Sequence, residues 1–174
     1  MAVRLHTPLS REDVKALRAG EVVYLSGTII TARDATHRKI LSLAGRGELP
    51  FDLEGTVVYH CGPVVRKTRG GYEIVSAGPT TSARMNAYLE EVLSLGVRGI
   101  IGKGGMRVEP FKDRAVYFAF TGGAGSLASE SIKRIVDVLW VEELGIPEAA
   151  WVLEVEDFPL LVAIDSRGNS LYRR

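Results

Sequence analysis

Apolar positions change their spacing several times along this chain, and each change predicts an element. Ser10-Arg11-Glu12-Asp13 reads as a helix N-cap with an acid three residues on, so a short helix follows and stops at Gly20. Residues 22–25 are strand-like and lead through Ser26-Gly27-Thr28 to Ile29-Ile30. A second helix, capped at Asp34 or Thr36, carries Ile40, Leu41 and Leu43 and ends at Gly45 and Gly47. Residues 56–60 predict a strand that Val64-Val65 continues, and Gly70-Gly71 turns the chain into residues 72–77 as a β-hairpin. Met85, Leu89, Val92 and Leu93 recur at helical spacing, with Thr80, Thr81 or Ser82 expected as the cap and Gly96 as the stop.

Residues 97–101 and 116–120 read as buried strands. The longest helix is expected from about Ser126 to about Leu144, on a stripe of Ile132, Ile135, Val136, Leu139 and Trp140. Two strands joined through Phe158-Pro159 follow, then a turn at 165–169 and a short last strand. Strands and helices alternate through the middle. The expected fold is therefore α/β, one domain over residues 1–174, with a mixed sheet flanked by helices.

Composition narrows the function classes. Lys and Arg number 22 against 21 Asp and Glu, a net charge of +1 with both signs interspersed, which gives no basic footprint for nucleic acid. The apolar runs are strand-sized, short of the roughly 20 residues of a membrane span, and residues 1–10 lack the apolar core of a signal peptide. Cys61 is the only cysteine and there are three histidines. No internal disulfide can form, a reducing cytoplasmic compartment is expected, and the chain cannot by itself complete a zinc site or hold an iron–sulfur cluster.

Three corners carry the candidate chemistry. Each joins an apolar run to glycines or small hydroxyls and a cation: Arg33-Asp34 after Ile29-Ile30, Gly78-Pro79-Thr80-Thr81-Ser82-Ala83-Arg84, and Ile101-Gly102-Lys103-Gly104-Gly105. Backbone N–H groups at a helix start and a nearby cation suit an anion, and three such corners together would grip a small dicarboxylate by both ends. Arg33 offers a fork to a carboxylate, the plain alternative being an arginine paired with Asp34 or solvated. His37, one turn on, either orients Arg33 or is a satisfied structural histidine. Arg84 lies in the expected first helical turn, where the macrodipole disfavours a cation without an anion nearby. Lys103 is either a point charge for a ligand or part of a turn before Met106. Gly122-Gly123-Ala124-Gly125-Ser126 lacks the spacing of a dinucleotide loop. Cys61 next to His60 is read as a packed or site-lining residue rather than a nucleophile, because neighbours on a strand face opposite ways.

Taken together, the segments 26–37, 59–63, 78–85 and 101–105 resemble the β subunit, or C-terminal domain, of iron–sulfur hydro-lyases of the class I fumarase and L(+)-tartrate dehydratase type. The resemblance spans nearly the whole chain. It implies a swivelling β/β/α-type domain and a partner α subunit whose cysteines hold a [4Fe–4S] cluster with one iron open to substrate. It further implies that Arg33, Arg84 and Lys103, with Thr81, bind substrate carboxylates. Thr80 would stand nearest the carbon that gains or loses a proton, with Lys103 also catalytic and Asp34, His37, Gly102 and Gly104 supporting. The expected activity is the reversible hydration of fumarate to L-malate, a tricarboxylic acid cycle reaction, in a cytoplasmic hetero-oligomer, the isolated chain being inactive and expected as a homodimer. Two alternatives stand beside it: a tartrate or related hydroxy-diacid dehydratase subunit, and a non-catalytic anion-binding regulatory module.

Overall fold

The computed structural model describes residues 2–120 and 125–172. Fourteen helices and strands follow in order: β1 (Val3–His6), α1 (Arg11–Ala16), β2 (Val22–Thr31), α2 (Asp34–Gly45), β3 (Val57–Tyr59), β4 (Val64–Thr68), β5 (Gly71–Ser76), α3 (Asn86–Ser94), β6 (Gly99–Gly102), β7 (Val116–Ala119), α4 (Gly125–Ser131), β8 (Ile132–Leu139), α5 (Val141–Leu144) and β9 (Ala150–Ile164). Five strands close on themselves. β2, β3, β6 and β7 run parallel in that order, β9 pairs antiparallel with β7, and the other edge of β9 returns to β2. β1 extends the sheet beside β2, β8 extends it beside β9, and β4 with β5 forms a separate hairpin. This is the mixed α/β fold that the alternation of elements predicts, with a barrel-like sheet, as the swivelling β/β/α type requires.

Alternation along the short parallel strands sets the core. Val57 and Tyr59 of β3, Ile101 of β6, and Val116 and Phe118 of β7 join one buried cluster with Leu153, Val155 and Phe158 of β9. Their neighbours Val58, Ile100 and Tyr117 face the other way, into a second cluster with Ile40 of α2 and Leu89, Val92 and Leu93 of α3. Strands buried on both faces read as unbroken apolar runs, as these do. Each such aliphatic side chain contributes roughly 1.5–3 kcal/mol by leaving water. Ser10 caps α1 as its sequence predicts: its hydroxyl accepts from the Asp13 N–H at 3.0 Å, and the Asp13 carboxylate accepts from the Ser10 N–H at 2.9 Å.

Three expectations are corrected. The long helix over 126–144 is instead α4, β8 and α5. Its apparent helical stripe comes from two bulges in β8, at 132–134 and 135–137. Ile132, Ile135 and Val138 stand three residues apart, yet they oppose Val155, Leu153 and Trp151, spaced by two on β9. A bulge adds one residue to a repeat of two, and the resulting spacing imitates a helix turn. Val64-Val65 does not continue β3 but opens the hairpin, where Val65 pairs with Ile74. The two strands around Phe158-Pro159 are one, β9, with Asp157 in the left-handed region at φ 50° and its N–H donated to the Ser26 hydroxyl at 3.0 Å. The glycine-rich stretch at 122–124 lies outside the described residues.

Candidate active site

The carboxyl ends of β2, β3, β6 and β7 lie in a row, because these strands are adjacent and parallel. In parallel α/β sheets that edge is where ligands sit. Residues 79–82 cross it. Pro79 bridges Cys61, the Thr80 N–H donates to the His60 carbonyl at 2.8 Å, Thr81 bridges Lys103, and the Ser82 N–H donates to the Lys103 carbonyl at 3.0 Å. α2 starts from the end of β2 and delivers Arg33 and Asp34 to the same edge. The three corners, far apart in the chain, are thus neighbours.

Their cations have few partners. Arg84 Nη2 donates to the Thr80 hydroxyl oxygen at 3.0 Å and lies 3.6 Å from Asp34 Oδ2, with its side chain half exposed. Asp34 is therefore the anion that a cation in this position needs. Arg33 pairs with neither Asp34 nor solvent alone: its Nε faces Glu148 Oε1 at 3.9 Å, too far for a hydrogen bond, and is buried without an acceptor. Gly62 makes room for this side chain, since a Cβ there would stand 2.7 Å from Arg33 Cδ and 2.8 Å from its Nη1. Among the described residues no carboxylate lies within ion-pair distance of Lys103, which is partly exposed.

Backbone groups play a smaller part than the helix-start motifs suggest. At α2 the Ala35 N–H is taken by Glu148 Oε2 at 3.1 Å, and Thr36 Oγ1 accepts from the Arg33 N–H at 3.0 Å while donating to the Glu148 carbonyl at 2.7 Å. Thr36, not Asp34, makes the capping bond. None of Thr80, Thr81 and Ser82 caps α3. A turn of 3-10 helix, Ser82–Met85, intervenes, and neither Thr81 before it nor Met85 before α3 makes a side-chain cap. Thr80 and Ser82 turn their hydroxyls to Arg84 and His60 instead. What remains for an anion is side-chain charge.

His37 lies below the edge rather than on it. It is 1% exposed, its Nδ1 donates to the Arg33 carbonyl at 2.7 Å, and it stacks on Tyr88 with ring centroids 5.3 Å apart. Burial lowers its pKa to about 4, against the raising influence of that carbonyl and of Asp34. The neutral ring orients the Arg33 backbone, and its Nε2 is left buried without a partner. His60 meets it edge-on at 5.4 Å, and burial, with His37 beside it, pushes its pKa well below the usual imidazole range. Both rings are neutral at pH 7.

Glu148, Ser82 and Tyr117 also belong to this neighbourhood, and sequence motifs miss Glu148 and Tyr117. Glu148 sits 113 residues from the N–H that it caps, so no local pattern announces it. Ser82 was visible as a third hydroxyl in one loop; Tyr117 was hidden in a strand of apolar residues.

The described residues do not offer the donor set of an iron–sulfur cluster. No three His, Cys, Asp or Glu side chains among them converge on a metal position. Cys61 is fully buried, and burial pushes its thiol up to about 12 despite the opposing pull of Arg33. A low-pKa, accessible thiolate is what a cluster ligand requires.

The fold is a barrel-like α/β unit with under-paired cations along the carboxyl edge of its parallel strands. The chain belongs to the fumarase C-terminus family, whose model matches residues 1–174. It is 48% identical over 94% of its length to a Methanocaldococcus jannaschii protein named "Putative L(+)-tartrate dehydratase subunit beta", covering 88% of that protein. It is 42% identical over 96% of its length to L(+)-tartrate dehydratase subunit beta of Escherichia coli K12, covering 85% of it. Against a Geobacillus stearothermophilus protein named "Putative fumarate hydratase class I" it is 39% identical over 98% of its length, which is 33% of that longer protein. These names are those of hydro-lyases, and the chain is of their β-subunit type.

Proposed function

We propose that this chain is the β subunit of a hydro-lyase acting on a four-carbon dicarboxylate, reversibly hydrating fumarate to L-malate. One observation carries the reading: Arg84 joins Thr80 to Asp34 at the same strand edge where Lys103 stands without a counter-ion among the described residues. Arg33, Arg84 and Lys103 bind the two carboxylates of the diacid, and Thr81 borders them. Removing a proton beside a carboxylate moves negative charge onto it, and fixed cations stabilise that charge more in the transition state than in the ground state.

Thr80 is assigned to the reacting carbon because Arg84 bonds to it. A guanidinium donating to the hydroxyl oxygen stabilises charge developing there and turns the hydroxyl hydrogen away from itself. A threonine still needs a base to take its proton. Among the described residues no carboxylate or imidazole has a hydrogen bond to Thr80, and the two buried histidines are engaged elsewhere. The base is accordingly placed on the α subunit, with the [4Fe–4S] cluster, in a cytoplasmic hetero-oligomer. The cluster would supply Lewis acidity toward the departing hydroxyl. Val64 and Val75, 60% and 48% exposed on the β4–β5 hairpin, are apolar surface that a partner chain would cover.

A second reading, L(+)-tartrate as substrate, is favoured by the names of the two relatives at 48% and 42% identity. Anaerobic reconstitution with the α chain, followed by assays on fumarate, L-malate and L(+)-tartrate, separates the two. Activity on none of these diacids would remove both readings.

A further inference from the structure

A line of buried polar groups runs beneath Lys103 and is not part of the diacid clamp. Ser82 is fully buried between two corners. Its N–H donates to the Lys103 carbonyl, and its hydroxyl lies 2.8 Å from His60 Nδ1. The Tyr117 O–H donates to the Gly104 carbonyl at 2.7 Å.

Tyr117 gives its one hydrogen to the Gly104 carbonyl. Ser82 and His60 satisfy each other, which a neutral imidazole does in either tautomer, and burial holds that ring neutral. Polar groups this deep are costly unless each is paired. Gly102 is a condition of the arrangement: a Cβ there would stand 1.7 Å from Ser82 Oγ and 3.2 Å from His60 Nδ1.

The geometry points to Ser82 and Tyr117 as positioning residues for Lys103, locking the carbonyls of residues 103 and 104, with His60 holding the Ser82 side chain in place. The need for one is plain from the sequence. Lys103 is flanked by Gly102, Gly104 and Gly105, which lose the most backbone freedom on ordering. An ammonium on such a loop, with no ion pair of its own, would wander, and displacement of a charged group by about 1 Å can cost on the order of 100-fold in rate. The role of the lock in catalysis rests on the reading of Lys103 as part of the diacid clamp.

Tyr117→Phe is the variant of choice, because it deletes one oxygen and keeps the ring in the core; Ser82→Ala is the companion. Amide hydrogen exchange on the full chain comes first. Exchange in residues 102–105 should rise at least tenfold in Tyr117→Phe, with no comparable change in α1, and exchange equal to wild type would overturn the lock. In the reconstituted complex Tyr117→Phe should lower kcat/KM about tenfold, yet change nothing further in a Lys103→Ala background. Fully additive losses would show that Tyr117 acts elsewhere and would overturn the positioning role. If the wild-type complex turns over no diacid, the clamp reading falls, while the exchange result still decides the lock. Should Ser82→Ala fail to fold, Tyr117→Phe alone decides the matter.

Discussion

The two ends of the parallel strands hold arginines in opposite conditions. At the amino ends of β3, β6 and β7 a hollow of about 610 Å³ is lined by Arg98, Arg114, Glu54 and Lys15 among others. Two of its three arginines are satisfied. Arg98 bonds Glu54 and the Leu9 carbonyl, and Arg114 bonds Glu90 and the Pro110 carbonyl. At the carboxyl ends the cations are loosely paired at 3.6 and 3.9 Å, or, for Lys103, have no carboxylate within reach among the described residues. Volume therefore points to one end and unmet charge to the other. For a small dianion, unmet charge is the better guide, because a cation already neutralised by a tight carboxylate has little left to offer a ligand.

The largest expected effect tests that contrast directly. Arg84→Ala or Lys103→Ala should lower kcat/KM of the reconstituted complex by roughly 2–4 kcal/mol while the melting temperature stays within a few degrees of wild type. Wild-type kinetics in both variants would erase the distinction between the two ends. A pH titration is expected to act on stability next. The folded-state pKa of His37 is depressed to about 4 from an ordinary 6.5, so the unfolded chain binds the proton more readily between those values. Stability should be full above about pH 6.5 and fall as the pH drops toward 4, by roughly 1.4 kcal/mol per unit. His37→Gln should flatten that slope in urea melts, and an unchanged slope would remove His37 as its source.

Gly62→Ala sharpens the same picture on a smaller scale. The added Cβ would overlap the Arg33 side chain and stand 3.0 Å from the Pro147 carbonyl. Overpacking of this kind costs about 1–3 kcal/mol, and KM for the diacid should rise as the guanidinium shifts. Smallest in kinetics is Arg98→Ala, at the other end. Losing its bonds to Glu54 and Leu9 should cost about 1–3 kcal/mol of stability, with turnover within twofold of wild type. A large kinetic loss there would mean that the amino-end hollow takes part in the reaction.

Much of this was legible in the residues, for identifiable reasons. Caps, glycine stops and apolar spacing act locally, so α1, the β4–β5 hairpin, α3 and the strands around Ile100 and Phe118 follow from short stretches. β8 was not legible, since two bulges turned a repeat of two into a repeat of three. Four β-branched residues among its eight, Ile132, Ile135, Val136 and Val138, were the signal against a helix. In the site, Arg33, Arg84 and Lys103 stood out because each breaks a small-residue corner. Their neighbours did not, because the topology supplies them: Glu148 reaches α2 across 113 residues, and Ser82 meets His60 across 22. What the local motifs overstated was the share of free backbone N–H groups, which the same long-range contacts consume.

β9 carries a last consequence, for biosynthesis. It pairs with β2, β7 and β8, and its bonds to β2 join residues some 130 positions apart. Contacts of such long range form late, after the entropy of closing the intervening loop has been met. During translation the ring cannot shut until β9 has emerged, so the strands made before it wait as an open sheet.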